Sequence, residues 1–284
     1  MENISIPRQD IDTVIYHKNC SDGFGAAWAA HEFLKHQAEY LPAQYENIDF
    51  VYKLKNRTIA VLDFSFDEAT IKKIISNGNK ICIIDHHKTA ERIRHLPNVH
   101  IDSTHSGAIL AWNFFHPAKD PPEFLLYIED RDLWKWKMEK SSEFSIVFQD
   151  VPKKFENYSK FKSYNKIKET IKTGEQLKSY QFSLIKRISS RHINTKWNGT
   201  NIKIVNSPIL QSEIGNFLSS DSSAALIWYK NYQANKIIVS LRSKGDLDVS
   251  KIAERFNGGG HKNAAGFTLD LNQNLEEYFE IDNQ

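Results

Sequence analysis

Short apolar runs alternate with longer amphipathic stretches through the first half of the chain. The runs "TVIYH" (Thr13–His17), "RTIAVLDFSF" and "KICIIDHH" have the length and the β-branched composition of buried strands. The stretches "FGAAWAAHEFLKH", "DEATIKKIISNG", "SGAILAWNFF" and "PPEFLLYIEDRDLWKW" have the composition and period of helices. This alternation predicts a parallel sheet that is covered by helices on both faces.

The pattern changes twice in the second half. Polar residues dominate residues 141–197, where "YNKIKETIKTGEQLKSYQFSLIKRISSRH" predicts one or two polar helices in a connector. The strands "NIKIVNSP", "AALIWYK" and "NKIIVSLRS", the helix "DVSKIAERF", a glycine cluster and a final strand follow. We therefore expect an α/β protein with a parallel-sheet domain at residues 1–140 and a smaller α/β domain at residues 198–284.

Composition narrows the class of protein. The chain has 284 residues with 40% hydrophobic content, which is enough for two cores, and its formal net charge of +2 neither demands nor excludes nucleic-acid binding. Two cysteines cannot form a disulfide framework, and this fits a reducing compartment. No apolar run approaches the roughly 20 residues of a membrane span, and the N-terminus lacks the apolar core of a signal peptide. The expectation is a cytoplasmic protein without a membrane partner.

Acids and imidazoles follow the strands of the first half, where a parallel sheet places functional side chains. The candidates in chain order are His17, Cys20, Asp22, Asp63, Asp85, His86, His87, Asp130 and Asp132. Gathered at one edge, such groups would be left repelling or unpaired without a cation. Each residue also has a simpler explanation: Asp22 alone could be a helix N-cap, and His87 alone a hydrogen-bonded core histidine. The ordered series favours a metal site.

The ligand types indicate two divalent ions. Mixed imidazole and carboxylate ligation suits Mn²⁺, with Zn²⁺, Fe²⁺, Co²⁺ and Mg²⁺ as alternatives. Asp63 is the residue that we expect to bridge the two ions, which would hold them close enough to share one hydroxide nucleophile.

A glycine cluster, "GGGH" at Gly258–His261, is the second candidate site. Residues without Cβ let backbone N–H groups approach a ligand and form an anion nest. The following "KNAAGF" is expected to open a short helix whose N-terminus adds to the nest. Arg242 and Ser243 are expected companions, because a guanidinium suits phosphate oxygens. The alternative is a plain tight loop.

Taken together, "DHHK" after an apolar strand, an aspartate on the preceding strand, a His-and-Asp motif at the first strand and "GGGH" resemble the DHH phosphoesterase superfamily with its DHH-associated C-terminal domain. The resemblance covers nearly the whole chain apart from the connector, and the combination of "DHH" with "GGGH" is specific. Relatives include RecJ-type single-strand exonucleases, nanoRNA and pAp phosphatases and cyclic-dinucleotide phosphodiesterases. Manganese pyrophosphatases and exopolyphosphatases resemble the first domain only.

The resemblance implies roles for individual residues. It implies these metal ligands: His17, Asp22, Asp63, His86 and Asp132, with Asp130 competing for the last place. It implies that His87 faces the scissile phosphate, and that Asp85 orients this region. It implies these substrate-holding groups in the second domain: Arg242, Gly259, Gly260 and His261. His87 and Arg242 would stabilise the negative charge that develops during the reaction.

The chain departs from the family pattern at Cys20, which stands where the family usually has the first aspartate of an Asp-x-Asp pair. A thiolate could ligate a softer ion such as zinc or iron. The alternative is that Cys20 fills space and leaves that ion with fewer protein ligands.

The predicted function is that of a metal-dependent phosphodiesterase, of the exonuclease or nanoRNase type, which hydrolyses short single-stranded oligonucleotides or linear dinucleotides to mononucleotides. One alternative is hydrolysis of a cyclic dinucleotide, pAp or polyphosphate. An alternative of another class is a non-catalytic nucleotide-binding protein. The sequence leaves both a monomer and a homodimer formed through the connector helices as alternatives.

Overall fold

The computed structural model describes residues 3–18, 20–44, 47–197, 199–278 and 280–281. The chain divides into two compact units, one up to Lys178 and the other from Ser179 onward. Within the described ranges, no helix combines the length and the apolar composition that crossing a bilayer requires.

The first unit contains the predicted parallel sheet. Its strands are β1 (Thr13–His17), β2 (Glu39–Ala43), β3 (Thr58–Leu62), β4 (Lys80–Asp85) and β5 (Val99–Ile101). They are ordered β2-β1-β3-β4-β5, and every neighbouring pair is parallel. The predicted bounds of the first strand are confirmed, whereas β2 and β5 had no clear pattern of their own. A parallel order places the carboxyl ends of β1, β3 and β4 side by side at one edge.

Helices surround this sheet, as the alternating pattern predicts. They are α1 (Ser21–Leu34), α2 (Glu68–Ser76), α3 (Gly107–Phe115), α4 (Glu123–Asp132), α5 (Ser141–Phe148) and α6 (Phe155–Ser159). Helix α7 (Tyr164–Ser189) begins in this unit and continues past Lys178 into the second. Short 3-10 turns lie at Arg8–Asp10, Lys35–Gln37, Asp49–Lys53, Lys88–Ile93 and Lys160–Lys162. Helix α2 begins where Asp67 caps it, because the Asp67 carboxylate accepts the Thr70 N–H at 2.7 Å.

Two separate cores cover the two faces of the sheet. Successive residues of β3 alternate between them: Ala60 and Leu62 belong to the core that includes α1 and α3, and Ile59 and Val61 to the core that includes α2. Strands that are buried on both faces read as continuous apolar runs, which is why the sequence shows them so clearly.

Part of the predicted connector also packs in the first unit. Phe144, Phe148, Tyr158, Phe161 and Ile167 belong to the α1–α3 core. Helix α7 is one continuous helix of 26 residues, within the predicted range of one or two polar helices. The domain boundaries expected from the sequence stay a prediction.

The second unit contains a mixed sheet. Its elements are β6 (Ile193–Trp197), β7 (Thr200–Asn206), α8 (Gln211–Leu218), β8 (Ala224–Asn231), β9 (Lys236–Ser243), α9 (Ser250–Glu254), β10 (Gly259–His261), β11 (Ala264–Asp270), a 3-10 turn at Leu275–Tyr278 and β12 (Glu280–Ile281). The order is β10-β11-β9-β8-β7-β6-β12, with β7 and β8 parallel and the other neighbours antiparallel. The predicted strands and the α9 helix are confirmed.

The structure corrects two local predictions. Helix α4 ends at Asp132, so the expected extension through "LWKW" is wrong; Trp134 has φ 53° and cannot continue a right-handed helix. The expected helix in "KNAAGF" is also wrong, since Ala264–Asp270 is a strand paired with β9 and β10. Every second side chain of this segment is buried, which is the pattern of a strand with one face on the core and not that of a helix.

Gly174 provides a test of the packing between α5 and α7. Alanine within a helix is normally favoured over glycine by up to about 1 kcal/mol. A Cβ at Gly174 would overlap the Glu143 carbonyl oxygen in α5, and a backbone atom cannot rotate away. We expect Gly174→Ala to lower the free energy of unfolding by roughly 1–3 kcal/mol in urea denaturation. Thr173→Ala, on the exposed side of α7, is the control and should not lower it; equal stability of the two variants would contradict this packing.

Candidate metal centre

The structure brings most of the candidate residues together at the carboxyl edge of the first sheet. His17 ends β1, Asp63 directly follows β3, and Asp85 ends β4. Among the described residues of the first unit, potential ligand atoms lie within 4.8 Å of one another in three groups: Asp63, Asp85, His86 and His87; His17, Cys20 and Asp63; and Asp22, His86 and Asp132. Since the groups share Asp63 and His86, they form one continuous cluster.

Asp63 stands at the centre of this cluster. Its carboxylate is 1% exposed; Oδ1 lies 3.0 Å from His86 Nε2, and Oδ2 lies 3.6 Å from His17 Nδ1. Neither oxygen has a partner with hydrogen-bond geometry in the part of the chain that the structure describes. Buried polar atoms without such partners are costly unless something else satisfies them. The converging nitrogens and oxygens therefore suit a shared divalent cation.

The backbone of Asp63 is held in an unusual conformation. Its φ is 54°, in the left-handed region that aspartate tolerates better than most residues. Two glycines make room for its side chain. A Cβ at Gly107 would lie 2.5 Å from Asp63 Cβ, and one at Gly23 would lie 3.0 Å from Asp63 Oδ2. One glycine in α1 and one in α3 thus leave space beside this carboxylate.

Asp22 is tied to the N-terminus of a neighbouring helix. Its Oδ2 accepts the Gly107 N–H at 2.7 Å, and its Oδ1 accepts the Ala108 N–H at 2.9 Å. These N–H groups open α3, where the helix dipole favours a negative charge. Asp22 Oδ2 also lies 3.6 Å from His86 Nε2. Asp22 is therefore not the N-cap of its own helix, which is Cys20; it binds the N-terminus of α3 instead.

Asp85 holds the two histidines that follow it. Its Oδ1 accepts the backbone N–H of His86 at 2.7 Å and that of His87 at 3.2 Å, and it lies 2.7 Å from His87 Nδ1. A carboxylate on Nδ1 fixes the tautomer and the orientation of an imidazole. The His87 ring is thus held so that Nε2 points away from Asp85.

The buried charges of the cluster shift one another's pKa values. Burial raises the pKa of Asp22 well above its usual value, and the carboxylates of Asp63 and Asp132 raise it further. Burial also opposes ionisation of Asp63, but the imidazoles of His17 and His86 outweigh it and lower the pKa of Asp63. Burial tends to lower the pKa of His86, yet Asp63 and Asp132 raise it. The cluster favours positive charge at its centre, which a divalent cation supplies.

Asp132, and not Asp130, joins the cluster. Asp132 Oδ2 lies 3.6 Å from His86 Nε2 and has no hydrogen-bond partner among the described residues. The two oxygens of Asp130 instead accept the backbone N–H groups of Lys137 at 2.8 Å and Met138 at 3.2 Å. The structure therefore gives Asp130 a position that stabilises the loop after α4.

Cys20 lies beside the cluster but is electrostatically disfavoured as a free thiolate. Its sulfur shares a group with His17 and Asp63. Burial raises the pKa of the Cys20 thiol, and the carboxylates of Asp63 and Asp132 raise it further. A bound cation would be needed to hold the thiolate form. A pocket opens here, lined by Cys20, Ser21, Asp22, Tyr127, Ile128, Arg131, Asp132, Phe144, Ser145, Phe148 and Gln149.

The candidates of the second unit occupy different positions on its sheet. Arg242 Nη2 donates to Ser212 Oγ at 2.7 Å on the α8 side, whereas Ser243 Oγ donates to the Leu247 carbonyl at 2.8 Å. Adjacent residues of a strand point to opposite faces, so Ser243 is not the companion of Arg242 that the sequence suggested.

The glycine cluster forms strand β10, and His261 ends it. Gly260 has φ 138°, and a Cβ there would lie 2.7 Å from Ala265 Cα in β11. Close pairing with β11 accounts for the absence of a side chain at Gly260. The roles of Gly259, Gly260 and His261 in substrate binding stay predictions.

Sequence reasoning missed the residues that position the cluster. Gly107 admits the Asp63 side chain, and Gly23 lets α1 pass against His17, whose carbonyl oxygen a Cβ there would overlap. Glu129 Oε2 accepts the Ser106 N–H at 3.0 Å, just before α3 begins. "DGFG" and "HSG" carried a weak local signal, because a glycine at the start of a helix costs helix propensity. Their partners lie far away in the sequence, so the reason for each glycine becomes visible only in the fold.

Comparison with known sequences identifies the second unit. The DHHA1 domain family matches residues 194–283. The chain is 32% identical over 295 residues to an uncharacterized protein of Acanthamoeba polyphaga mimivirus, an alignment that covers 94% of this chain and 70% of that protein. It is 24% identical over 225 residues to oligoribonuclease NrnB of Bacillus subtilis, covering 72% of this chain and 56% of that protein.

Solved structures share the fold at low sequence identity. The DHH domain of a member of the s1p family of ribosomal proteins has a TM-score of 0.56 at 13% identity, covering 91% of this chain and 83% of that one. RecJ of Thermus thermophilus in complex with Mn²⁺ has a TM-score of 0.51 at 13% identity, covering 95% of this chain and 50% of that one. The pGpG-specific phosphodiesterase PggH of Vibrio cholerae has a TM-score of 0.50 at 12% identity, covering 92% of this chain and 94% of that one.

Gly107 provides a test of the geometry around Asp63. Gly107→Ala should displace the Asp63 carboxylate, since the new Cβ would lie 2.7 Å from Oδ1. We expect Mn²⁺ affinity in isothermal titration calorimetry to fall roughly 10- to 100-fold, as when other residues that orient ligands are changed. Gly245→Ala is the control: its φ of 79° makes alanine strained, but no atom lies within 4 Å of the new Cβ. It should cost stability and leave Mn²⁺ affinity unchanged; equal affinities in both variants would contradict the assigned role of Gly107.

Proposed function

The chain belongs to the DHH superfamily of phosphoesterases, and we propose that it hydrolyses short single-stranded oligonucleotides or linear dinucleotides to mononucleotides. The observation that carries this proposal is the buried Asp63 carboxylate, whose oxygens face His17 and His86 within one cluster of acids and imidazoles. The likeness to oligoribonuclease NrnB supports the choice of substrate.

The donor set fits two divalent ions, with Mn²⁺ as the proposed metal. Such ions, when bound, neutralise charge on phosphoryl oxygens and lower the pKa of water. Asp63 offers one oxygen toward His17 and the other toward His86, which suits a bridging position. We assign these residues as the remaining ligands: His17, Asp22, His86 and Asp132.

Other residues act on the substrate in this proposal. His87 is held through Nδ1 by Asp85 at 2.7 Å, so Nε2 is the ring atom left to face the substrate. In the imidazolium form this Nε2–H donates a proton or a hydrogen bond to a phosphoryl oxygen. Arg242, His261 and the backbone of Gly259 and Gly260 bind the part of the substrate that does not react. Guanidinium and imidazolium groups suit its phosphates.

The test is a substrate panel with wild type and Asp63→Ala. The panel contains single-stranded di- to decanucleotides of RNA and DNA, a cyclic dinucleotide, pAp and polyphosphate, each with Mn²⁺, Mg²⁺, Zn²⁺ or Co²⁺. Wild type should release mononucleotides from the shortest oligonucleotides with Mn²⁺. Asp63→Ala should lose nearly all turnover and at least one bound metal while its circular dichroism stays native, because both ions lose a ligand.

A matched variant separates the metal site from substrate binding. His261→Ala should keep the wild-type metal content and weaken oligonucleotide binding by roughly 10- to 100-fold, the effect of one lost charge-assisted hydrogen bond. Near wild-type turnover of Asp63→Ala would contradict the assignment of two metal ions bridged by Asp63. If only the cyclic dinucleotide, pAp or polyphosphate is hydrolysed, the protein is a hydrolase of that compound and not of oligonucleotides. Nucleotide binding by the metal-loaded protein without any turnover would identify a binding protein.

Cys20 provides a second test, directed at the choice of metal. Cys20→Asp places a hard carboxylate beside His17 and Asp63, and we expect it to raise Mn²⁺ affinity and Mn²⁺-dependent turnover. Cys20→Ser should weaken one site, because a hydroxyl is a poor ligand. Metal titration of both variants is the measurement, with Cys82→Ala, a buried thiol of β4, as control. Unchanged metal content in Cys20→Ser, together with a destabilised Cys20→Asp, would mean that Cys20 only fills space.

A further inference from the structure

Helix α4 ends in a loop that carries two tryptophans in a strained conformation. The Lys135 N–H donates to the Asp130 carbonyl at 2.8 Å, and the Trp134 N–H donates to the Arg131 carbonyl at 3.0 Å. This pair of bonds is a Schellman helix end, whose left-handed residue is usually glycine. Here that residue is Trp134, with φ 53°, and Trp136 has φ 50°. Bulky side chains rarely adopt this region, and such outliers concentrate at functional sites.

The loop is pinned to the carboxyl edge of the sheet. The buried Asp130 carboxylate accepts the Lys137 N–H at 2.8 Å from inside the turn. Lys135, between the two tryptophans, donates through Nζ to the Thr104 carbonyl at 3.2 Å and to Glu129 Oε1 at 3.4 Å. Thr104 lies in the segment that follows β5. Both anchors fix the loop before any ligand binds.

The two indole rings are not used for core packing. Trp134 and Trp136 contact each other with centroids 4.9 Å apart at 79°, and both are partly exposed. They lie outside both hydrophobic clusters of the described part of this unit. Trp28 and Trp112, by contrast, stack on each other within the core. The strained loop therefore presents aromatic surface.

This aromatic surface lies close to the cluster of acids and imidazoles. Asp132, the last residue of α4, has Oδ2 at 3.6 Å from His86 Nε2 in the metal cluster. Trp134 follows two residues later, so its Cα lies within about 7 Å of that of Asp132. A phosphodiester held at the cluster carries a nucleobase at a comparable reach.

We propose that Trp134 and Trp136 form a platform on which a nucleobase of the substrate stacks. The proposal rests on the proposed phosphodiesterase function and refines its substrate class. Every base presents a π-face, so stacking is tolerant of sequence. The platform favours nucleotides of any base over phosphate compounds without a base.

The test compares a 5′-phosphorylated diribonucleotide with the same compound lacking one base. Trp134→Ala and Trp136→Ala should raise KM for the complete dinucleotide roughly 5- to 150-fold, the range measured for one lost base–aromatic stack. The KM for the abasic compound and both kcat values should stay near those of wild type. Trp134→Phe should keep most of the affinity. Tyr232→Ala, which removes another exposed aromatic ring, should change neither substrate. Equal KM changes for both substrates would overturn the platform.

Trp134→Gly separates stacking from a structural role. Glycine relieves the positive φ, so the melting temperature should be unchanged or higher, while KM for the complete dinucleotide should rise as in Trp134→Ala. A lower melting temperature with unchanged KM would show that Trp134 only packs, and would overturn the proposal.

Binding of AMP with Mn²⁺, followed by tryptophan fluorescence, separates this proposal from the proposed function. Quenching in wild type that is lost in Trp134→Ala upholds the platform even if no dinucleotide is cleaved. Absence of quenching in wild type overturns the platform even if dinucleotides are cleaved.

Discussion

The burial of several acids and imidazoles at one edge of a parallel sheet is the constraint on which the rest of the structure depends. Asp22, Asp63, Asp85 and His86 are each 1% exposed or less. Like charges at such a site repel strongly because water does not screen them. The surrounding chain supplies compensating dipoles and protons, or it leaves atoms that a cation satisfies. The Asp63 oxygens, which face two imidazoles without forming hydrogen bonds of good geometry within the described ranges, belong to the second kind.

The neighbouring elements serve this edge in different ways. The N-terminus of α3 binds the Asp22 carboxylate, and the glycine that opens the same helix leaves room for Asp63. The first turn of α3 thus stabilises the charge of Asp22, and it also leaves space for the side chain of Asp63. Asp130, which is close to Asp132 in sequence, stabilises a turn instead. Two acids two residues apart on one helix therefore have separate tasks, since helical residues at that spacing do not share a face.

The sequence predicts what depends on local pattern and misses what depends on distant contacts. The strand Thr13–His17 and the meeting of three strand ends follow from apolar runs and parallel order, and the structure confirms both. The strand conformation of Ala264–Asp270 depends on pairing with β9, which local composition does not contain. Likewise, the closeness of Gly107 to Asp63 arises from residues far apart in the chain. The chemical roles of the cluster residues stay predictions.

The hold of α3 on Asp22 has a consequence for the order in which the protein is built. Both oxygens of this acid already receive hydrogen bonds from the chain, so this side of the cluster needs no ion to take its shape. A small zinc domain, by contrast, folds only when its metal arrives. Here α3 already holds Asp22 in place, so the shape of this side of the cluster would precede metal loading and not result from it.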